Sequence, residues 1–551
     1  MKFLRQISFL VLAAGMALAQ TSTSSSPTVA DELKALREAI AAQQKQISQQ
    51  QRQIETLTQA LEDKNAGTPH VADASLRVPA SQPAVVPAAA VQEGKTEAKE
   101  SPLSVRIGGT EWTPGGFMDF QNIFRTVNTG NVVSTGFNAI PFNNTAAGQL
   151  TEYRSTGQYS RWNLKVTGKY ANTNLLGYVE GDFNGNDAAN VFVTTNPHTL
   201  RLRLYYLNAK HGHWEFTAGQ AWGLITPNKI GVGPNPGDLS TTMATDGNIH
   251  VGVPYARDGQ FRVAIHPNEH FSWAASVENP QQITNGEVIT PTAFATVLGT
   301  QIDGVATPGV PNAFPDIVSK MAWDTKFGAR AFHIEAGGLI TSTKLAVQPT
   351  PVVPGEAFNK HSKIGSGLMG GVNFELFKNF RLLSYGAYGA GIGRYFIGFG
   401  PQYVVVPSGT TCTSAGGCDV NISMVHAATG YGGVETQLGS KTQLAAYYGG
   451  EYYQRSSFAD ITSPAVVKPI IGFGGAGSAN TNNRAIQEGS FVITQTLWKN
   501  PQFGALLFIN DASYSTRAPW FVNKNVTTGA LLAPKNAHMF MDHVVLRYVL
   551  P

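Results

Sequence analysis

The chain has 551 residues, with 40 Lys and Arg against 36 Asp and Glu, for a formal net charge of +4. That balance implies no strong pull on nucleic acid, and the length exceeds what one compact core usually needs. Its 58 Gly, 29 Phe, 18 Tyr and 8 Trp against only 14% charged residues suit a large β structure with many turns, and past the N-terminus no run approaches the roughly 20 apolar residues of a spanning helix.

In chain order, Lys2 and Arg5 precede a short apolar stretch from Ile7 to Gly15, and Ala17-Leu18-Ala19 before Gln20 forms a small-x-small cleavage site. This pattern predicts a signal peptide over 1–19 and export, since the apolar stretch is too short for a membrane anchor. There is no Cys at the cut, so lipidation is not expected. Residues 20–64 then read as a spacer and a coiled coil. Position a of a heptad carries Leu33, Ile40, Ile47, Ile54 and Leu61, and position d carries Leu36, Gln43, Gln50 and Leu57. A sustained a/d seam signals self-association, and Ile at a with polar residues at d leans to three strands. The plainer alternative is a lone amphipathic helix lying on the protein. Residues 65–103, rich in Ala, Pro and Val, form an extended linker, and the β domain runs over 104–551.

From Ser104 one unit repeats: two alternating segments meet at a short turn, and a long Gly/Asn/Pro/Thr loop follows. Segments near 115–127, 156–170, 174–185, 198–210, 213–221, 258–266, 269–278, 314–324, 327–341, 361–376, 378–395, 421–438, 441–454, 484–499, 502–516 and 536–550 give about 16 strands, within the even-numbered porin range. Short turns fall at 171–173, 211–212, 267–268, 325–326, 439–440 and 500–501. Long connections fall at 128–155, 186–197, 222–257, 279–313, 342–360, 396–420, 455–483 and 517–535. Outer-membrane barrels have short periplasmic turns and long outer loops, whereas a soluble sandwich has no reason to sort loop lengths in this way.

Side-chain alternation agrees, because successive residues of a strand point to opposite faces. In 159–170, Trp162, Leu164, Val166 and Tyr170 oppose Arg161, Asn163, Lys165 and Lys169. Segment 198–208 sets Leu200, Leu202, Leu204 and Tyr206 against Arg201, Arg203 and Tyr205. Segment 258–266 sets Phe261, Val263 and Ile265 against Gln260, Arg262 and His266. Segment 269–278 sets Phe271, Trp273, Ala275 and Val277 against Ser272, Ser276 and Glu278. The apolar stripe faces lipid in a barrel or a core in a sandwich. Val544, Leu546, Tyr548 and Leu550 alternate as a closing strand does, although the chain ends on Leu550-Pro551 and not on an aromatic residue. The two cysteines, Cys412 and Cys418, share one long loop and are expected to pair once exported. A metal site there lacks further ligands.

Taken together, the exported N-terminus, the trimer-prone coil, the Pro/Ala linker and the 16-strand pattern resemble the trimeric outer-membrane porins of the DcaP type, and also the phosphate-selective porins. The local matches are SRWNLKV (160–166), GYVEGDF (177–183), LRLRLYYLNAK (200–210) and TAGQAWGLITPN (217–228). The resemblance implies an all-β transmembrane antiparallel barrel and a homotrimer in the bacterial outer membrane. It also implies passage of small anionic solutes such as dicarboxylates, without cofactors.

With the first strand rising from the periplasm, Arg161, Arg201, Arg203 and Arg262 fall near the outer ends of strands two, four and six, with Lys165 lower. A ladder of basic side chains favours anions, and the guanidinium fork suits carboxylates and phosphates. Glu180, Asp182 and Glu215 point inward beside them. They either hold the arginines in place or, fully paired, cancel the ladder. The loop 222–257 either enters the lumen, with Asp238, Asp246, His250 and Arg257 at a constriction, or stays outside. Tyr205 is expected to line the path or to pack under that loop. The competing classes are a structural anchor tied to peptidoglycan through the coil and an outer-membrane enzyme. No G-x-S-x-G, H-E-x-x-H or P-loop motif occurs, and His211 and His213 fall in a predicted periplasmic turn.

Overall fold

A computed structural model describes residues 101–131, 133–185, 199–240, 249–280, 288–299, 301–302, 311–350, 355, 357–409, 417–476, 482–525 and 527–551. The predicted signal peptide, coiled coil and most of the linker lie outside the described residues, as do Asp246 and Cys412.

Sixteen antiparallel strands close a barrel. They are β1 (Thr110–Arg125), β2 (Glu152–Thr156, resumed at Arg161–Tyr170), β3 (Thr173–Asp182) and β4 (Arg201–His211). Next come β5 (Trp214–Trp222), β6 (Arg257–Ile265), β7 (Phe271–Glu278) and β8 (Asp316–Phe327). β9 (Arg330–Val347), β10 (Asn359–Phe377), β11 (Phe380–Ala390) and β12 (His426–Leu438) follow. The last four are β13 (Thr442–Tyr453), β14 (Asn483–Asn500), β15 (Gly504–Pro519) and β16 (Ala537–Val549). Each strand pairs with its sequence neighbours, and β16 pairs back onto β1 from Phe117–Val549 to Arg125–Met541. No sheet edge is left open at the seam, which is what a strand array needs in lipid.

The tight turns lie at one end. Several turn on a residue with positive φ: Ala171, Gly212, Gly328, Asn379 and Gly439. Two-residue hairpin loops require that geometry to match strand twist. Long connections at the other end carry their own structure. A ribbon of Tyr403–Gly409 and Cys418–Met424 packs with Phe294, Leu298, Leu345 and Val347 in an apolar cluster above the barrel. Cys418 is disulfide-bonded and fully buried there. Another ribbon joins Ser456–Ala459 to Ile470–Phe473. Beside it the buried Asp460 accepts from the backbone and hydroxyl of both Thr292 and Thr462. Burial opposes ionisation of this carboxyl, but those bonds prevail and hold it below the usual carboxylate range.

Alternation reads as expected over most strands. Leu368, Phe261, Ile334 and Val372 stand exposed on the outer face, while Met369, Arg262, Glu335 and Asn373 beside them are buried inside. One strand departs from the expected pattern. In β4 the register slips, with Glu180 opposite Leu204 and Gly181 opposite Leu202, so Arg203 is an extra residue. The bulge puts Arg203 and Leu204 both inside and reverses everything after it. Tyr205 therefore faces outward, 46% exposed, and Tyr206 faces inward, 3% exposed. The expected inward placement of Tyr205 is corrected on this ground, and so is the lipid-facing placement of Leu204 and Tyr206.

Candidate functional site

The lumen wall is built by inward positions of β16, β1, β2, β3 and β4. Strand alternation and close register bring their charged ends together. Arg201 makes a fork to Asp182, with Nε 3.0 Å from Oδ1 and one terminal nitrogen 2.7 Å from Oδ2. Arg203 bridges the two carboxylates, donating to Glu180 at 2.9 Å and to Asp182 at 2.8 Å. Arg161 lies 3.6 Å from Glu180. Tyr178 donates its hydroxyl to the second oxygen of Glu180 at 3.0 Å. One step around the seam, Arg547 forks onto Asp119 at 2.6 and 2.7 Å. Both Arg547 and Arg161 cover the Phe117 ring, at 4.2 and 5.2 Å.

Arg257, at the start of β6, stacks over Trp222 at 5.3 Å and makes no ion pair among the described residues. The ladder thus holds five guanidiniums (Arg161, Arg201, Arg203, Arg257 and Arg547) against three carboxylates (Asp119, Glu180 and Asp182). Pairing leaves a positive surplus, and the side chains of Arg161 and Arg201 keep 26% and 32% of their surface open. Lys165 is half-buried further down β2, on the same inward parity. Glu215 is held elsewhere, bonded to His266 and to Asn208.

The connection between β5 and β6 crosses the lumen. Its residues Leu224, Ile225, Val232, Leu239, Val251 and Val253 are buried at 0 to 1% exposure, and its contacts reach the far wall. Tyr385 of β11 donates to the Ile225 carbonyl, and Tyr431 of β12 donates to the Ser240 carbonyl. Wall carboxylates accept from its backbone amides. Glu278 takes Leu224, Glu335 takes Asn228, Asp324 takes Gly231 and Glu488 takes Val251, at 2.9 to 3.0 Å. A shorter inward turn after β11 is held in the same way, the amides of Ile397 and Gly398 donating to Glu451. Gly252 of the crossing backbone touches β12 at the Gly430 carbonyl and β13 at Gly449, and a Cβ on Gly252 or Gly449 would collide with the facing backbone. Glycine is required at that crossing.

Several expected site residues serve this segment. Arg262 is buried, and its donors go to Gln260, the Val232 carbonyl and the Trp222 carbonyl. The reading of Arg262 as an open rung of the ladder is corrected, because the segment covers it. Lys320, Glu335 and His333 form a buried charge network beneath residues 226–231, with the half-buried Asp324 at its edge. His250 is buried, 3.8 Å from Glu488, and bonds the Val251 carbonyl through Nδ1. Burial pushes its imidazole down to about 4. Lys229 is also lowered by burial, with Glu435 opposing. Asp238 sits in a short turn whose carbonyl accepts from Lys229. Sequence reading missed Asp119, Arg547, Glu335, Glu451 and Glu488. Their signal was an acid or base at inward parity inside an otherwise apolar strand.

Among solved structures the chain is similar to the outer membrane channel DcaP of Acinetobacter baumannii, at 13% identity and a TM-score of 0.54. The match covers 81% of this chain and 99% of that one. The barrel has the DcaP-type channel fold. An anion-selective porin from Comamonas acidovorans matches at 10% identity over 80% of this chain and 100% of that one, with a TM-score of 0.42. OmpT of Vibrio cholerae matches at 10% over 81% and 99%, with a TM-score of 0.40. No family model and no curated protein matches the sequence.

Proposed function

We propose that this chain is an outer-membrane porin passing small hydrophilic anions, dicarboxylates or similar, by passive diffusion along the arginine ladder. The carrying observation is the charge imbalance beside the crossing segment: five guanidiniums, three carboxylates, and Arg257, where the segment rejoins the barrel wall, without an ion partner among the described residues. Fixed positive groups in a narrow, partly desolvated passage raise the local anion concentration and repel cations. Arg161, Arg201 and Lys165 guide the solute, Glu180 and Asp182 orient Arg203 and Arg201, and Arg257 with Trp222 offers a cation beside an aromatic face. The crossing segment, with Asp238 and His250, sets the width. Residues 1–19 direct export, and the heptads of 20–64 join three copies in the periplasm, where contact with peptidoglycan is a further role for the coil.

Reversal potentials in planar bilayers under a salt gradient test this. The reading expects anion preference that falls when Arg161, Arg201 and Arg257 are replaced by Gln. A barrel that inserts but does not conduct would instead favour the anchoring role.

A further inference from the structure

We infer that the outward face of β9 and β10, at the loop end, is a binding site for a phosphate-bearing lipid of the outer leaflet. This rests on the outer-membrane reading above, with the tight turns in the periplasm, but not on what the lumen conducts. On this face Lys344 stands directly opposite Ser362, and Ala346 opposite Lys360. Lys344, Ser362 and Lys360 share the outward parity of Ile340 and Ile364, and all three are exposed. None of them makes an ion pair or a side-chain hydrogen bond among the described residues. The carboxylate of Asp419 is engaged by Asn359 and His361, on the other parity of β10. Two ammoniums at diagonal positions, roughly 7–8 Å apart along the sheet, repel each other. An anion seated between them removes that repulsion, and the Ser362 hydroxyl offers it a third donor.

Height makes the pair significant. Phe327, Phe332 and Phe374 pack together at the turn end, as an aromatic girdle does. At about 3.3 Å per residue and a tilt of about 40°, Lys344 stands roughly 30 Å above Phe332, and Lys360 roughly 35 Å above Phe374. The apolar band of such a barrel is about 25 Å tall. The two lysines therefore begin where the acyl chains end, at the level of the lipid headgroups.

What lies beneath them selects a lipid over a free anion. Ile340, Ile364 and Leu368 form an outward stripe on the same two strands, at 43%, 61% and 74% exposure. Acyl chains lie along that stripe while the phosphate meets Lys344, Lys360 and Ser362, so one molecule satisfies both halves of the face. Inorganic phosphate would use only the upper half. Basic side chains at headgroup level attract anionic lipid, and each contributes separately.

The test titrates the full-length protein in detergent with fluorescent diphosphoryl lipid A, with the same lipid stripped of both phosphates, and with inorganic phosphate as competitor. Replacing both lysines (Lys344→Gln with Lys360→Gln) is expected to weaken binding of the phosphorylated lipid about thirtyfold. The control Lys363→Gln removes the same kind of charge from the other parity of β10 and should leave binding within about twofold. Lys344→Arg with Lys360→Arg keeps the charges and should retain binding. Equal affinity of wild type and the double Gln variant overturns the inference, and so does an equal loss in Lys363→Gln. Equal binding of the dephosphorylated lipid overturns it as well, as does full competition by inorganic phosphate at the concentration of the lipid. Barrels that bind the lipid but fail to conduct in planar bilayers would overturn the channel reading and leave the lipid site standing.

Discussion

Replacing Arg201 by Gln should shift ion selectivity by about threefold toward cations. The change removes one charge from a wall with five guanidiniums and three carboxylates. Its partner Asp182 keeps the bond from Arg203 at 2.8 Å, so no carboxylate is stranded. An ion about 6 Å from the lost charge feels about 0.7 kcal/mol less in a watery lumen, and salt with a screening length of about 8 Å roughly halves that. Anions lose what cations gain, so the ratio moves by about 0.7 kcal/mol, or about threefold. Reversal potential across a salt gradient reads this ratio directly. Arg201→Lys keeps the charge without the fork and should hold the selectivity while weakening any carboxylate-specific block. An unchanged ratio in Arg201→Gln, with single-channel conductance intact, would refute the argument that the ladder carries a surplus.

Three further outcomes follow from the interior. Glu335→Ala leaves the buried Lys320 ammonium without its carboxylate and frees the Asn228 amide, a loss of about 3–5 kcal/mol in unfolding free energy, checked by denaturant titration in detergent. His250, lowered to about 4 when folded against about 6.5 unfolded, takes up its proton more readily in the unfolded chain. Its contribution is complete above pH 6.5 and is lost as pH falls from there toward 4, reaching about 3 kcal/mol. His250→Gln should flatten that part of the stability profile, and an identical acid limb in wild type and variant would count against it. Tyr206→Phe should cost about 1 kcal/mol through the lost bond to Asn235, while Tyr205→Phe should change neither thermal midpoint nor conductance; the reverse ranking would place the bulge elsewhere.

The sixteen strands were legible because each has a period of two and each pair is followed by a long polar connection. The seam was legible too, since Val544, Leu546 and Tyr548 alternate without interruption. The bulge at Arg203 was hidden for the opposite reason: LRLRLYYL alternates through it, and only pairing with Glu180 and Gly181 reveals the extra residue. Gln220 offers a trace, since its outward amide caps the Arg203 carbonyl at 2.6 Å. Whether 222–257 entered the lumen was open in the sequence. The groups that hold it, Glu335 and Glu488, lie over a hundred residues away, beyond any local pattern. Arg161, Arg201 and Arg203 were legible as one wall because they share an inward parity on β2 and β4, the two strands that flank β3.

The wall carboxylates grip the crossing segment by its main chain, and every residue except proline offers the same amide. Leu224, Asn228, Gly231 and Val251 are each held at a group that does not depend on their side chains. Anchorage and sieving are therefore written in separate alphabets. Side chains facing the passage can be exchanged, by drift or by an engineer seeking a different solute, while the frame that presents them stays where the barrel fastened it.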